Sequence, residues 1–428
     1  MSLYNALDLI NLWTENGEVF DATDVSTVQG TASDIESLYN AAGITGLGNE
    51  DITLFYSIPT AALLKRLDNY TSGTINAQFL ISIKGKASDL ITIYASSGIS
   101  NLGDEDINIT SGTATTSQFN TLSAATTGVI TATISDGDMA TLALLEGIGN
   151  ALAITVTDEV VTAAELNTLD SKTTTDLTVN SSTITGTAAD LITAYAAGGS
   201  INGLGNEAIT LSDTTIDAEV LINLDALTTG IIDASSVITI TGTAEDLITV
   251  YIANVVGTIT GLGNEAITVN DSLTVAQFND LGANTTGLIT ATISEGDMAT
   301  LALIEGIGGA LTITVTDSIV AAAELNTLDN KTTVNVEAID INTITGTATD
   351  LLTAYAANGT ITGLGNEAIT VNDSLTVDQC NDLEAYTTGV ITATISDGEM
   401  ATLALLEGIG NALAITVTDE VVAAAELN

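Results

Sequence analysis

The stretch TVTDEVVTAAELNTLDSKTT, residues 155–174, holds one short alternating strand, then one short helix, and nothing else. Near copies return at 314–333 and again from 416 to the last residue. A fragment of this size cannot bury its own apolar face, so a core must come from stacking one copy on the next.

Three further motifs recur around it. GTASDI at 30, GKASDL at 85, GTAADL at 186, GTAEDL at 242 and GTATDL at 346 are versions of one sequence. GLGNE occurs at 46, 203, 261 and 363, with NLGDE at 101 as a variant. TISDGDMATLALLEGIG at 133 has copies at 292 and 394. Residues 126–167 and 387–428 differ only at Asp138 against Glu399 and Thr162 against Ala423, which indicates duplication of a large cassette.

Within the cassette a smaller repeat of roughly 23 to 30 residues predicts one strand and one helix per turn of the chain. Ile154 and Val156 should face inward, with Thr155 and Thr157 outward. Thr162 with Glu165, Thr187 with Asp190, Thr274 with Gln277 and Thr376 with Gln379 fit a capping box, Asp at the third helical position being the looser match. The helices run only about ten residues, through segments such as TLALLEGIG, and would melt alone. The expected fold is an α/β solenoid. A short parallel strand and a short helix make each coil, as in leucine-rich repeats but without their LxxLxLxxN signature. Roughly sixteen such repeats fit between about residue 19 and the end.

The segment MSLYNALDLINLWTENGEVF resembles no later one. It predicts an amphipathic helix with Leu3, Ala6, Leu7, Ile10 and Trp13 at helical spacing, so residues 1–18 are expected to cap the array and 19–428 to form it. The segment has no basic region followed by a long apolar run, and is not a Sec signal peptide. The final VVAAAELN stops where earlier copies continue TLD, which predicts an N-terminal piece of a longer array.

Composition narrows the function. There are 54 acidic residues, 6 basic ones and no histidine, a formal charge of −48. That repels nucleic acid and anionic membranes, and no segment is apolar enough for membrane insertion. Only 14% of residues are charged and 45% are hydrophobic, so the chain should fold. With 4% aromatics its core must be thin layers of small aliphatics. The single cysteine, Cys380, rules out an intrachain disulfide framework. It stands in TVDQCND where Phe278 stands in TVAQFND, a core position.

No base is available for a nucleophilic triad, and every carboxylate pair sits in a repeated slot, so no enzymatic activity is expected. GLGNE lacks the lysine and spacing of a phosphate loop and reads as a left-handed turn through Gly203 and Gly205. The alternative is a calcium site using Asn206, Glu207 and Asp213, or Asp136 and Asp138 of SDGD. Lys65, Arg66, Lys84 and Lys86 are concentrated near the N-terminus, leaving only Lys172 and Lys331 elsewhere. They read either as solvated loop charges or as a patch that docks onto an acidic surface of another copy or of the cell envelope.

In its GTAxDL, GLGNE and TTGVITATISDG motifs the chain resembles the long repeat regions of giant secreted or cell-surface proteins of marine cyanobacteria, including those associated with swimming without flagella. The resemblance covers nearly everything after residue 18. It implies an extracellular structural role and export without a Sec signal, for instance by a type I system. The resulting expectation is a homo-oligomeric or polymeric component of a surface layer or filament. A calcium-assisted adhesin or ligand-binding solenoid, or a virion appendage, is the alternative.

Overall fold

In the strand Ala151–Val156 the side chains of Leu152, Ile154 and Val156 are buried while Ala153 and Thr155 are exposed, the period-two pattern the sequence predicts. A helix, Ala163–Asp170, follows within a few residues. It buries Ala163, Leu166 and Leu169, its first, fourth and seventh positions. The same three positions are buried in Ala32–Tyr39 (Ala32, Ile35, Leu38), in Ala218–Asp225 (Ala218, Leu221, Leu224) and in Val377–Tyr386 (Val377, Cys380, Leu383). Cys380 is a fully buried core residue in the slot Phe278 fills, and burial raises its thiol pKa.

The computed structural model describes residues 3–196, 199–357, 359–420 and 422. It is an alternation of strands and helices, an α/β repeat, in two compact halves. One comprises Met1–Thr210 with Leu227–Gly230, the other Leu211–Ala226 with Ile231–Asn428. In the first half a parallel five-stranded sheet runs Leu3–Asn5, Thr27–Gly30, Asp51–Leu54, Ile75–Asn76, Ile99–Ser100. In the second half a seven-stranded sheet starts at Thr215–Asp217 and Thr239–Gly242, and ends at Val336–Glu337 and Ile361–Thr362. Helix starts recur every 23 to 31 residues, from Thr116 to Met139 at the short end and Ala244 to Val275 at the long. Successive helices pack on each other, as Ala61–Tyr70 does on Ala87–Tyr94. No described helix is long and apolar enough to cross a membrane.

The glycine of GTAxDL ends a strand against the helix of the preceding repeat. A Cβ at Gly85 would lie 3.2 Å from Ala61 Cβ, and one at Gly346 would lie 3.1 Å from Ala322 Cβ. Glycine in one repeat and alanine at the start of the previous helix are therefore one packing feature, and they set how closely neighbours approach.

Three expectations change. First, most repeats carry two short strands rather than one. After Ile75–Asn76 the Asn76 side chain accepts the Gln78 amide at 3.1 Å, turning the chain before it resumes as Ser82–Gly85. Asp21 does the same to Thr23 and Asp233 to Ser235, both at 3.0 Å. Second, TLALLEGIG is not a full helix. Only Met139–Leu142, Met298–Leu301 and Met400–Leu403 are helical, four residues each, and the positive φ of Gly147, Gly149 and their counterparts keeps the end of the motif out of the helix. Third, the N-terminal helix starts at Ala6. Leu3 lies in a strand paired with Thr27, and Leu7 is 49% exposed, whereas Ala6 and Leu9 are fully buried. Asn5 caps this helix through the Leu7 amide at 3.0 Å, so Ala6 and Leu9 take the places of Ala32 and Ile35, and the repeat's spacing overrides the broader apolar stripe. The third copy of the AAELN helix, at 423–428, lies outside the described residues.

Candidate functional site

Glutamates at the end of GLGNE and its variant are the most buried carboxylates among the described residues: Glu50, Glu105, Glu207, Glu265 and Glu367 are each 3% exposed or less. Burying a carboxylate costs on the order of several kcal/mol unless donors surround it. At Glu207 the turn supplies them. Gly203 and Gly205 hold φ of 96° and 120°, which brings the Gly205 amide to 2.9 Å and the Asn206 amide to 3.0 Å from Oε2. The Tyr195 hydroxyl, from the preceding helix, donates to Oε1. The next repeat then joins. The Thr228 hydroxyl donates to the Glu207 carbonyl at 2.9 Å and accepts the Gly230 amide at 2.9 Å. A Cβ on Gly230 would stand 2.1 Å from that carbonyl oxygen.

This lock recurs. Tyr94, Tyr251 and Tyr355 donate to Glu105, Glu265 and Glu367. Burial, followed by the hydrogen bond to the carboxylate, raises the pKa of each of these three phenols far above the usual 10. Thr71, Thr126, Thr285 and Thr387 reach back to the Glu carbonyls at 2.7 to 2.8 Å. The first copy differs: the Tyr39 ring stacks on Tyr70 as Tyr355 does on Tyr386, but the Tyr39 hydroxyl and Glu50 Oε1 are buried without a hydrogen-bond partner. The sequence reading missed the lock, although a tyrosine 11 to 14 residues before each glutamate and a TTG, or TSG after Glu50, about 20 residues after it carry the signal.

A second device uses the acids of the turn after a strand. Asp136 Oδ2 accepts the Thr116 amide, the first of the preceding repeat's helix, at 2.6 Å. Asp158 does this for Met139, Glu295 for Val275, Asp317 for Met298 and Asp397 for Val377, at 2.6 to 3.0 Å. Asp138 caps its own helix through the Thr141 amide at 2.9 Å, and Thr141 holds its pKa below 3.8. Three of the four capping boxes read from sequence form at Thr162, Thr274 and Thr376, and a further one forms at Thr115. At Thr187 the shorter Asp190 accepts the Thr187 hydroxyl at 2.7 Å, and the reciprocal bond to the cap backbone is not made.

The calcium candidates thus fall in different settings. Glu207 is the centre of a lock, Asn206 is an exposed turn residue and Asp213 is half-buried in the following loop. Asp136 and Asp138 bind helix amides. Among the described residues no group of three or more Asp, Glu, Cys or His side chains could hold a metal ion.

The basic candidates separate as well. Arg66 pairs with Glu36 at 2.6 Å and Lys65 with Asp89 at 3.3 Å, each joining neighbouring helices. Lys84 and Lys86 lie on the strand and at the helix start of the next repeat, both exposed. Lys172 donates to the Ala143 and Leu145 carbonyls, and Lys331 to those of Ala302 and Ile304, closing the ends of the four-residue helices. Asn120 clasps the same loop, donating to the Leu144 carbonyl at 2.8 Å and accepting the Glu146 amide at 2.9 Å, and Asn279 and Asn381 repeat this.

These features define the class: an α/β repeat protein whose distinctive polar residues join one repeat to the next. No protein-family model matches the chain, and no curated protein matches it.

Proposed function

We propose that this chain is a non-enzymatic structural protein of the cell exterior, an α/β solenoid of leucine-rich-repeat-like plan. In this reading residues 1–18 cap an array over 19–428 that forms or decorates a surface layer or filament by self-association, and is exported without a Sec signal. One observation carries it: the residue types that could perform chemistry are occupied between repeats. The buried glutamates hold turn amides and tyrosines, and the turn aspartates hold helix amides. A chain that uses its carboxylates to continue itself is organised for regular extension.

Calcium enters as a counterion that relieves repulsion among 54 acidic groups facing 6 basic ones. The test is electron microscopy of the purified chain with and without millimolar calcium, alongside light scattering. Filaments or sheets with a regular repeat are expected, with calcium increasing their number. Dispersed particles under both conditions would overturn the assembly reading.

A further inference from the structure

The first half carries one surface unlike the rest of this acidic, aromatic-poor chain. Tyr56 is 72% exposed and its ring meets Phe79 of the next repeat, centroids 5.4 Å apart. Ile58 and Ile81 flank them at 55% and 57% exposure. The Lys84 amide donates to the Pro59 carbonyl at 3.1 Å, which ties this segment to the strand Ser82–Gly85. On that strand Ile83 is buried and Lys84 exposed, and Lys86 follows, also exposed. Unlike Lys65 and Arg66, these two lysines make no ion pair among the described residues.

Four apolar side chains beside two lysines have the anatomy of a protein interface, an aromatic and aliphatic centre with a charged rim. The isoleucines favour a protein over a polysaccharide, since a branched aliphatic offers no flat face to stack on a sugar ring. The lysines select an acidic partner, and the chain itself, at −48, offers acidic surface almost everywhere else. We propose that Tyr56, Ile58, Phe79, Ile81, Lys84 and Lys86 form a contact site for the acidic surface of a second copy of this chain. This rests on the self-association reading above and assigns it a surface.

Sedimentation velocity of the full chain across a concentration series, at low and high salt, tests it. Two double variants serve, Tyr56→Ser with Phe79→Ser and Lys84→Glu with Lys86→Glu, each checked for wild-type circular dichroism. Association that weakens about tenfold in both variants, and with salt in the wild type, is expected. Unchanged association in both variants overturns the site and leaves self-assembly standing. A wild-type chain that stays monomeric overturns both. A monomer that binds alginate through these residues replaces the protein partner with an anionic polysaccharide, and so overturns the proposal too.

Discussion

Residues 126–157 and 387–418 are the same sequence except at Asp138 and Glu399, yet they do not have the same structure. Ile154 is 2% exposed in the earlier copy, and its counterpart Ile415 is 44% exposed. The strand is six residues long at Ala151–Val156 and three at Ala412–Ala414. What differs is the neighbour. Ile154 pairs with Leu177 of the following repeat, whereas among the described residues Ala412–Ala414 is the outermost strand of its sheet. Burial and even strand length here belong to a pair of adjacent repeats and not to the sequence of one, as in nearest-neighbour accounts of repeat stability.

The sharpest way to break that comparison is to truncate both isoleucines. Ile154→Ala should cost about 2–5 kcal/mol and Ile415→Ala less than about 1 kcal/mol, read by hydrogen exchange on each strand. Equal losses would mean that the neighbour contributes little. The locks offer the next contrast. Tyr94→Phe removes the hydroxyl that donates to buried Glu105, leaving it the Gly103 amide, and should cost about 1–3 kcal/mol, while Tyr39→Phe, which removes an unpartnered hydroxyl, should be neutral or slightly stabilising in urea unfolding. Two near-identical helices give a third. Thr162 forms a capping box where Ala321 forms none, so Ala321→Thr should raise stability by about 1 kcal/mol and Thr162→Ala should lower it by a similar amount.

The smallest effects are those of pH, and their signs are opposite. Asp138 and Asp297 have pKa values depressed below 3.8 by hydrogen bonds from Thr141 and Thr300. Their contribution is present above the unfolded value and is lost as pH falls through the folded one. An NMR titration should place Asp138 below 3.8, and a result at or above it would show that the cap does not form in solution. Tyr94, Tyr251 and Tyr355 are raised above 10, so their contribution is complete below that pH and is lost only as pH rises through a still higher folded value. Phenolate absorbance should show three tyrosines that ionise only when the chain unfolds in alkali.

The alternation of strand and helix was legible because its determinants are local. Period-two Ile and Val, the Ala-x-x-Leu-x-x-Leu spacing and Thr at helix starts all act within a few residues, and Cys380 was placed by alignment with Phe278. The lock was illegible for the opposite reason. Glu207 reads as a turn acid or metal ligand until Tyr195 and Thr228 are brought to it, and both come from other elements of the repeat. The divided strands were missed because an Asp or Asn that turns the chain looks the same in sequence as one exposed on a strand. At the N-terminus the apolar count at helical spacing favoured Leu7 and Ile10. The Asn5 cap and the packing of Ala6 against Gly30 instead rotate Leu9 inward. Of the basic cluster, the sequence could show the concentration but not that half of it is bound between helices.

The acids that cap a helix from the next turn of the chain also set an order in time. Asp136 stands 20 residues after Thr116, Asp158 stands 19 after Met139, and Asp317 stands 19 after Met298. A helix leaving the ribosome is therefore unfinished until about one further repeat has been made, a delay of roughly one to four seconds at ordinary elongation rates. A repeat capped in this way is completed by its successor, so the segment it exposes meanwhile is a template for the one about to arrive.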